Sequence, residues 1–246
     1  LSMSPNIDRG ILITGINDQF SGNAPDIGAF ESMVNSILKV LSITRADPNP
    51  SGAPNVNFTV TFSEPVTGVD VLAPFNDFGL IVDSGITNAS ILSVTPVSGT
   101  TYIVGVTTGS GNGSIRLDLV DDDSILNVSN NPLGGAGAGN GNFNSGEFYT
   151  VEKSLPRVSG ILLADPNLTN ADSVHFTVSF SKEVSGVDAG DLSLVTSGGI
   201  SGATVVDVSG SGSTYTVTVA TGAGDGTVRL DVMDNDSILD MAVNPL

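Results

Sequence analysis

The chain has 246 residues, enough for two domains of ordinary size, and 39% of them are hydrophobic, enough for packed cores. Its formal net charge is -18, with 26 Asp and Glu residues against 8 Lys and Arg residues, so no nucleic-acid partner is expected. The chain has no cysteine, which excludes disulfides, thiolate zinc sites and thiol catalysis. No apolar run is long enough to cross a membrane as a helix, so no membrane insertion is expected.

The first stretch in chain order, residues 1–38, is a lead-in without a second copy. It contains SPNIDRG at residues 4–10 and APDIGAFE at residues 24–31. These segments resemble the end of right-handed parallel β-helix domains in secreted bacterial proteins. That resemblance implies that the chain is an interior piece of a longer secreted protein.

The rest of the chain is an internal repeat. GSIRLDLVDDDSILNVSNNPL at residues 113–133 and GTVRLDVMDNDSILDMAVNPL at residues 226–246 are identical at twelve positions. Shorter matches precede them: ADPN at 46–49 and 164–167, FTVTFS and FTVSFS at 58–63 and 176–181, and GVD at 68–70 and 186–188. A unit of this length is a whole domain and not one coil of a solenoid. We therefore predict one domain over 39–156 and another over 157–246.

Hydrophobic and polar residues alternate within each copy, as in VNFTVTF at residues 56–62. This period of two is typical of strands with one buried face. In the first copy it predicts seven strands, near 40–46, 55–63, 78–82, 89–95, 100–107, 114–120 and 146–152. Seven short strands separated by turn residues indicate an all-β chain of two tandem immunoglobulin-like sandwiches, with a barrel as the alternative. The first copy contains a few extra residues, which we place in the loop 71–76.

The last predicted strand of the first copy, residues 146–152, has no counterpart in the second copy. Truncation of the chain is one explanation. The other is a strand supplied by another chain, which would make copies of this protein partners through strand exchange. The short apolar run GILITG at residues 10–15 is the donor segment that we predict for that case.

Acidic residues recur at one place in both copies, directly after a predicted strand. Calcium prefers six to eight oxygen ligands, and several carboxylates on one loop can supply them. The candidate ligands for Ca²⁺ are Asp121, Asp122, Asp123, Asp234, Asp236 and Asp240. Asp70 and Asp77, or Asp188 and Asp191, are further candidates across a loop, but the sequence does not place them. The alternative is a solvated turn in which Asp and Asn side chains accept hydrogen bonds from their own backbone.

Catalytic residues are poorly represented. The single histidine, His175, lies in an alternating strand that would direct it outward, and it has no counterpart in the first copy. Glycoside hydrolysis needs a carboxylate pair in a cleft, and sugar binding favours aromatic platforms. With no Trp and only 3 Tyr, a carbohydrate-active enzyme fragment is a weak alternative, and we expect no enzymatic activity.

A family resemblance rests on FSEPVTGVD at residues 62–70, followed by DDDSI at 121–125 and NPL at 131–133. The second copy matches with FSKEVSGVD, in which Lys-Glu replaces Glu-Pro. Residues 40–246 thus resemble the bacterial Ig-like repeats of large secreted and surface proteins. The resemblance implies a secreted or cell-surface structural module: a stalk, spacer or filament subunit. The alternative that it implies is a calcium-dependent adhesive module that binds a glycan or a surface protein.

Overall fold

A computed structural model describes residues 37–246 of the chain. This part is all-β, apart from one short 3-10 turn at Ala189–Asp191. Among these residues no helix is long and apolar enough to cross a membrane. The lead-in, with its predicted β-helix end, and the predicted donor segment 10–15 lie outside the described residues, except that Ile37 and Leu38 precede the first strand.

Nine strands form the first domain. They are β1 (Val40–Arg45), β2 (Asn55–Phe62), β3 (Val66–Thr67), β4 (Phe78–Val82), β5 (Ser90–Pro96), β6 (Thr101–Thr107), β7 (Gly113–Leu119), β8 (Leu126–Asn127) and β9 (Phe148–Val151). One sheet has the order β1-β2-β6-β5 and the other the order β4-β7-β9, while β3 pairs with β8. Four antiparallel strands facing three is the strand arrangement of an immunoglobulin constant-type sandwich. All seven predicted strands are therefore confirmed, within two residues at each end.

The second domain repeats this order with fewer and longer strands. They are β10 (Val158–Leu163), β11 (Ser173–Ser185), β12 (Leu192–Gly198), β13 (Thr204–Ala220), β14 (Gly226–Val232) and β15 (Leu239–Asp240). One sheet has the order β10-β11-β13, with β15 against β11, and the other contains only β12 and β14. The single element β13 spans the positions that β5 and β6 occupy in the first domain. Within residues 157–246 no strand corresponds to β9, as the sequence predicts.

The alternation of apolar and polar residues in the sequence matches an alternation of buried and exposed side chains along the strands. Along β2 the side chains of Val56, Phe58, Val60 and Phe62 are buried, whereas the residues between them are partly exposed. Burying each of these side chains contributes roughly 1.5–3 kcal/mol. The same edge-to-face aromatic pair recurs in both domains: Phe62 with Tyr102 and Phe180 with Tyr215, each with ring centroids 5.9 Å apart.

Each domain has its own hydrophobic core. One cluster of buried side chains runs from Leu38 to Val151, and a second, smaller one runs from Val174 to Ile238. Six residues separate Asp70 from Asp77 but only two separate Asp188 from Asp191, so most of the extra residues lie at 71–76, where we predict them.

Strand β9 closes the first sandwich on two sides. It pairs antiparallel with β7, and it also bonds to the loop after β1, where the Ser51 N–H donates to the Thr150 carbonyl at 2.9 Å. The Tyr149 side chain is fully buried, 5.0 Å from Phe58 between ring centroids. Its hydroxyl donates to the Asn57 carbonyl at 2.7 Å and accepts from the Asp47 N–H at 2.7 Å.

Replacing Tyr149 with Phe should therefore destabilise the first domain by about 1–3 kcal/mol, because the Asp47 N–H loses its partner while the ring packing remains. Urea unfolding followed by circular dichroism measures this. The control is Phe148→Leu in the same strand, where the side chain is half exposed, and it should change stability by less than about 0.5 kcal/mol. Equal effects of the two substitutions would contradict the role given to the hydroxyl.

Candidate functional site

The predicted calcium ligands of the first domain form a tight turn after β7. The Asp121 carboxylate accepts the Asp123 N–H at 3.2 Å, and the Asp122 carboxylate accepts the Ser124 N–H at 2.9 Å. Asp123 has a φ of 68°, a left-handed conformation that Asp and Asn tolerate better than most residues. We call residues 121–124 and their counterparts 234–237 the acidic turns.

The glycine-rich loop folds over the acidic turn of the first domain. The Gly137 N–H donates to the Asp123 carboxylate at 2.9 Å, and the Gly141 N–H donates to the Asp121 carboxylate at 2.9 Å. The Asn142 side chain accepts the Asp121 N–H at 2.7 Å. Backbone N–H groups of this loop therefore stabilise the negative charge of these carboxylates. The sequence did not indicate this role for the glycine-rich loop.

The acidic turn of the second domain has the same backbone pattern. The Asp236 N–H donates to the Asp234 carboxylate at 3.1 Å, and the Ser237 N–H donates to Asn235 at 2.9 Å. Asp236 also has a left-handed φ, of 62°. Both Asp234 and Asp236 are exposed, so this turn differs from the first mainly in having no covering loop within the described residues.

A buried aspartate anchors each acidic turn through its serine. In the first domain the Asp77 carboxylate accepts the Asp70 N–H at 2.5 Å and the Ser124 hydroxyl at 3.0 Å. Burial raises the pKa of Asp77, and the nearby charges of Asp70 and Asp122 act in the same direction. Of the two further candidates in this domain, Asp77 therefore contacts the acidic turn, whereas Asp70 donates its N–H to Asp77. We call this arrangement the serine clamp.

The second domain contains the same serine clamp. The Asp191 carboxylate accepts the Asp188 N–H at 2.8 Å and the Ser237 hydroxyl at 2.5 Å. Asp77 and Asp191 are both only 1% exposed. A glycine lets the turn approach: Gly186 has a φ of 87°, and a Cβ there would lie 2.3 Å from the Ser237 carbonyl oxygen. In each copy, therefore, the GVD motif and the acidic turn that follows later in the chain lie against each other.

The sixth predicted ligand, Asp240, lies in a different contact. Its side chain is 3% exposed and lies 3.3 Å from the Lys182 ammonium. It also accepts the N–H groups of Ala242 and Asn244, both at 2.9 Å. Although burial alone raises the pKa of Asp240, these hydrogen bonds and Lys182 lower it below its usual value.

Lys182 also connects the two domains. Its ammonium lies 3.0 Å from the Glu152 carboxylate, which follows β9, and it donates to the Ser154 carbonyl. The Ser154 hydroxyl and Lys182 donate hydrogen bonds that lower the pKa of Glu152 to about 2. Lys182 is 25% and Glu152 33% exposed, so these two charges are partly shielded from solvent.

Backbone and amide contacts complete the connection. The Gly52 N–H of the first domain donates to the Ala242 carbonyl of the second at 2.9 Å. The Asn244 side chain donates to the Glu152 carbonyl at 2.8 Å. A Cβ on Gly52 would lie 2.1 Å from the Asn244 side-chain oxygen, so a side chain there would displace Asn244. We call these five residues the joint: Gly52, Glu152, Lys182, Asp240 and Asn244.

His175 has a local structural role. Its ring nitrogen lies 2.9 Å from the Asp165 carboxylate, which also accepts its backbone N–H at 2.6 Å. In the first domain Asn57 makes the same two hydrogen bonds to Asp47, at 3.2 and 2.6 Å. The histidine side chain is 44% exposed on the outer face, as the alternation predicts, and among the described residues no serine hydroxyl bonds to it.

Within residues 37–246, no group of three or more His, Cys, Asp or Glu side chains is arranged to hold a metal ion. The structure keeps Asp121, Asp122 and Asp123 together, and likewise Asp234 and Asp236, but directs Asp240 to the joint. Calcium binding at these residues is untested, and the hydrogen bonds within each acidic turn are those of the alternative, a turn in which Asp and Asn side chains accept from their own backbone.

No family model matches the chain, and no curated protein matches it. Among solved structures, it is similar to the Escherichia coli adhesin FdeC, at 14% identity and a TM-score of 0.40, over 83% of this chain and 62% of that one. It is also similar to Yersinia pseudotuberculosis InvD, at 12% identity and a TM-score of 0.29, over 80% of this chain and 53% of that one. The chain spans only about half to three fifths of those structures, and TM-scores below 0.5 support no functional inference.

The acidic turns should hold their shape without calcium, because their carboxylates already accept backbone N–H groups. We expect the midpoint of thermal unfolding to move by less than about 2 °C between millimolar Ca²⁺ and excess chelator. An Asp234→Asn, Asp236→Asn variant serves as the control for the exposed turn. A rise of several degrees with Ca²⁺ that this variant abolishes would instead establish the calcium site.

Proposed function

We propose that this chain is a rigid structural module of an extracellular stalk or spacer, secreted or held at a cell surface. Its role is to hold two sandwiches in a fixed relative orientation. The observation that carries this proposal is the joint, in which charged, amide and backbone groups from both domains meet.

The joint supports rigidity because it combines different kinds of contact. Two hydrogen bonds, from Gly52 to Ala242 and from Asn244 to Glu152, fix the domains by direct bonds. Lys182 lies between the carboxylates of Glu152 and Asp240, and the latter is almost fully buried. Removing one member of a buried charge group leaves an uncompensated charge, which typically costs several kcal/mol. Bending at the joint would break these contacts together.

The proposal includes no catalytic activity. His175 pairs with Asp165 on an exposed face, and the buried aspartates of the serine clamps accept the serine hydroxyls of the acidic turns. A repeated sandwich with acidic, cysteine-free composition is compatible with service outside the cell. The adhesive alternative needs a partner surface, and none of the geometry described above selects a glycan or a protein for that surface.

Spin labels on the two domains test the joint. Because the chain has no cysteine, Thr95→Cys and Thr196→Cys give two unique exposed sites on strands. We expect a narrow distribution of label distances, which Lys182→Met or Gly52→Ala broadens at least about twofold. Lys39→Met is the matched control, since its side chain is exposed and away from the joint. An equally broad distribution in the unsubstituted chain would contradict the proposal.

The joint should also depend on pH in a defined direction. The pKa of Glu152 is lowered from 4.5 to about 2, so its contribution to the joint is complete above 4.5 and is lost as the pH falls toward 2. The same label distances should therefore stay narrow at neutral pH and broaden only in that acidic range. In the Lys182→Met variant the acid-induced change should be smaller, because Glu152 then has no ammonium partner from the second domain.

A further inference from the structure

The half of the joint that the second domain supplies has a counterpart in the first domain. In the second domain this half consists of three side chains, which we call its entry face: Lys182, Asp240 and Asn244. The repeat aligns them with three residues that form the entry face of the first domain: Glu64, Asn127 and Asn131. The two faces occupy the same position in their respective sandwiches.

The backbone positions both entry faces in the same way. The Asn127 side chain accepts the Asn131 N–H at 2.9 Å, and the Asp240 side chain accepts the Asn244 N–H at 2.9 Å. In both domains the short strand that carries this acceptor pairs antiparallel with the strand beside it, β8 with β3 and β15 with β11. The two faces therefore differ in the charges of their side chains and not in their backbone.

The charges of the two entry faces differ at two positions together. In the second face the Lys182 ammonium lies 3.3 Å from the Asp240 carboxylate, so a cation has an anion beside it. In the first face a carboxylate, Glu64, replaces the ammonium, and a neutral amide, Asn127, replaces the carboxylate. An aspartate in place of Asn127 would repel Glu64. Each face is thus consistent within itself, and the charge at the lysine position is reversed between them.

Glu64 has a buried oxygen that no donor satisfies. Its Oε1 atom is buried and forms no hydrogen bond among residues 37–246. No ion pair within that part of the chain includes Glu64 either. A buried carboxylate oxygen without a donor destabilises the fold, and the ammonium of a lysine or the guanidinium of an arginine is the group that satisfies it best.

The end of the first domain that docks on the second one does not fit the first entry face. In the joint its Glu152 carboxylate lies 3.0 Å from the Lys182 ammonium. Against the first entry face, the same end would place Glu152 beside Glu64, with no cation between the two carboxylates. Like charges that meet at an interface oppose its formation, so this arrangement is disfavoured.

We propose that the entry face of the first domain is a docking surface for the end of an Ig-like domain that presents Lys or Arg where Glu152 lies, and that it rejects an end with Glu at that place. The residue at position 64 or 182 would then determine which domain end each face accepts. This inference rests on the proposed function, because it extends the chemistry of the joint to a second surface.

Transferring the charges of the first entry face to the second domain tests the proposal in the full chain. The readout is again the distance between labels at Thr95→Cys and Thr196→Cys. Lys182→Glu with Asp240→Asn reproduces the first face, and the label distances should broaden at least about twofold, because two carboxylates then meet. Adding Glu152→Lys to these two substitutions should restore the narrow distribution, since it supplies the cation that the transferred face requires.

Two control variants separate charge from other effects. Glu152→Leu, added to the transferred face instead of Glu152→Lys, removes the repulsion without supplying a cation and should leave the distribution broad. Glu183→Lys in the unsubstituted joint makes the same change in net charge at an exposed neighbour of Lys182 and should leave it narrow.

The outcomes distinguish this inference from the proposed function. A broad distribution in the unsubstituted chain would contradict the rigid joint itself. A narrow distribution that the transferred face leaves unchanged would overturn the present inference alone. So would a broadening that Glu152→Lys fails to reverse, or that Glu152→Leu reverses equally well.

Discussion

Strand β9 of the first domain determines how completely a sandwich of this type is closed. It bonds to β7 on one edge and to the loop after β1 on the other, and its tyrosine bonds to polar backbone groups in the interior. In the second domain every neighbour of this strand has a counterpart, but no strand lies between them in the described residues. The partly exposed Val228 and the exposed Leu168 both follow from that difference.

The serine clamp explains why the acidic motifs repeat so closely. Burying a polar group without a hydrogen-bond partner destabilises the fold. Both copies therefore contain the buried aspartate, Asp77 or Asp191, together with the hydroxyl and N–H groups that bond to it. The glycine of the GVD motif then has to stay glycine, because the turn lies against its backbone. Identity between the copies therefore reflects a structural contact that each domain needs.

Alternation of apolar and polar residues was sufficient to predict the strands, because the side-chain period of a strand equals the period of its buried face. Comparison of the two copies also indicated that residues 157–246 contain no counterpart of β9. The joint could not be predicted in this way. Lys182 corresponds to Glu64 in the first copy, so the repeat gives no signal there, and its partners depend on how two domains meet. The Tyr149 hydroxyl likewise bonds to residues far away in sequence.

Amide hydrogen exchange at matched positions of β7 and β14 tests the role of β9 most directly. The Ile115 N–H, which faces β9, should exchange at least about a hundredfold more slowly than the Val228 N–H, which faces away from β12 and has no strand beside it within residues 37–246. The Thr227 N–H, which faces β12, should be protected in the same molecule and so shows that β14 itself is formed. Equal protection of Ile115 and Val228 in the isolated chain would contradict the account.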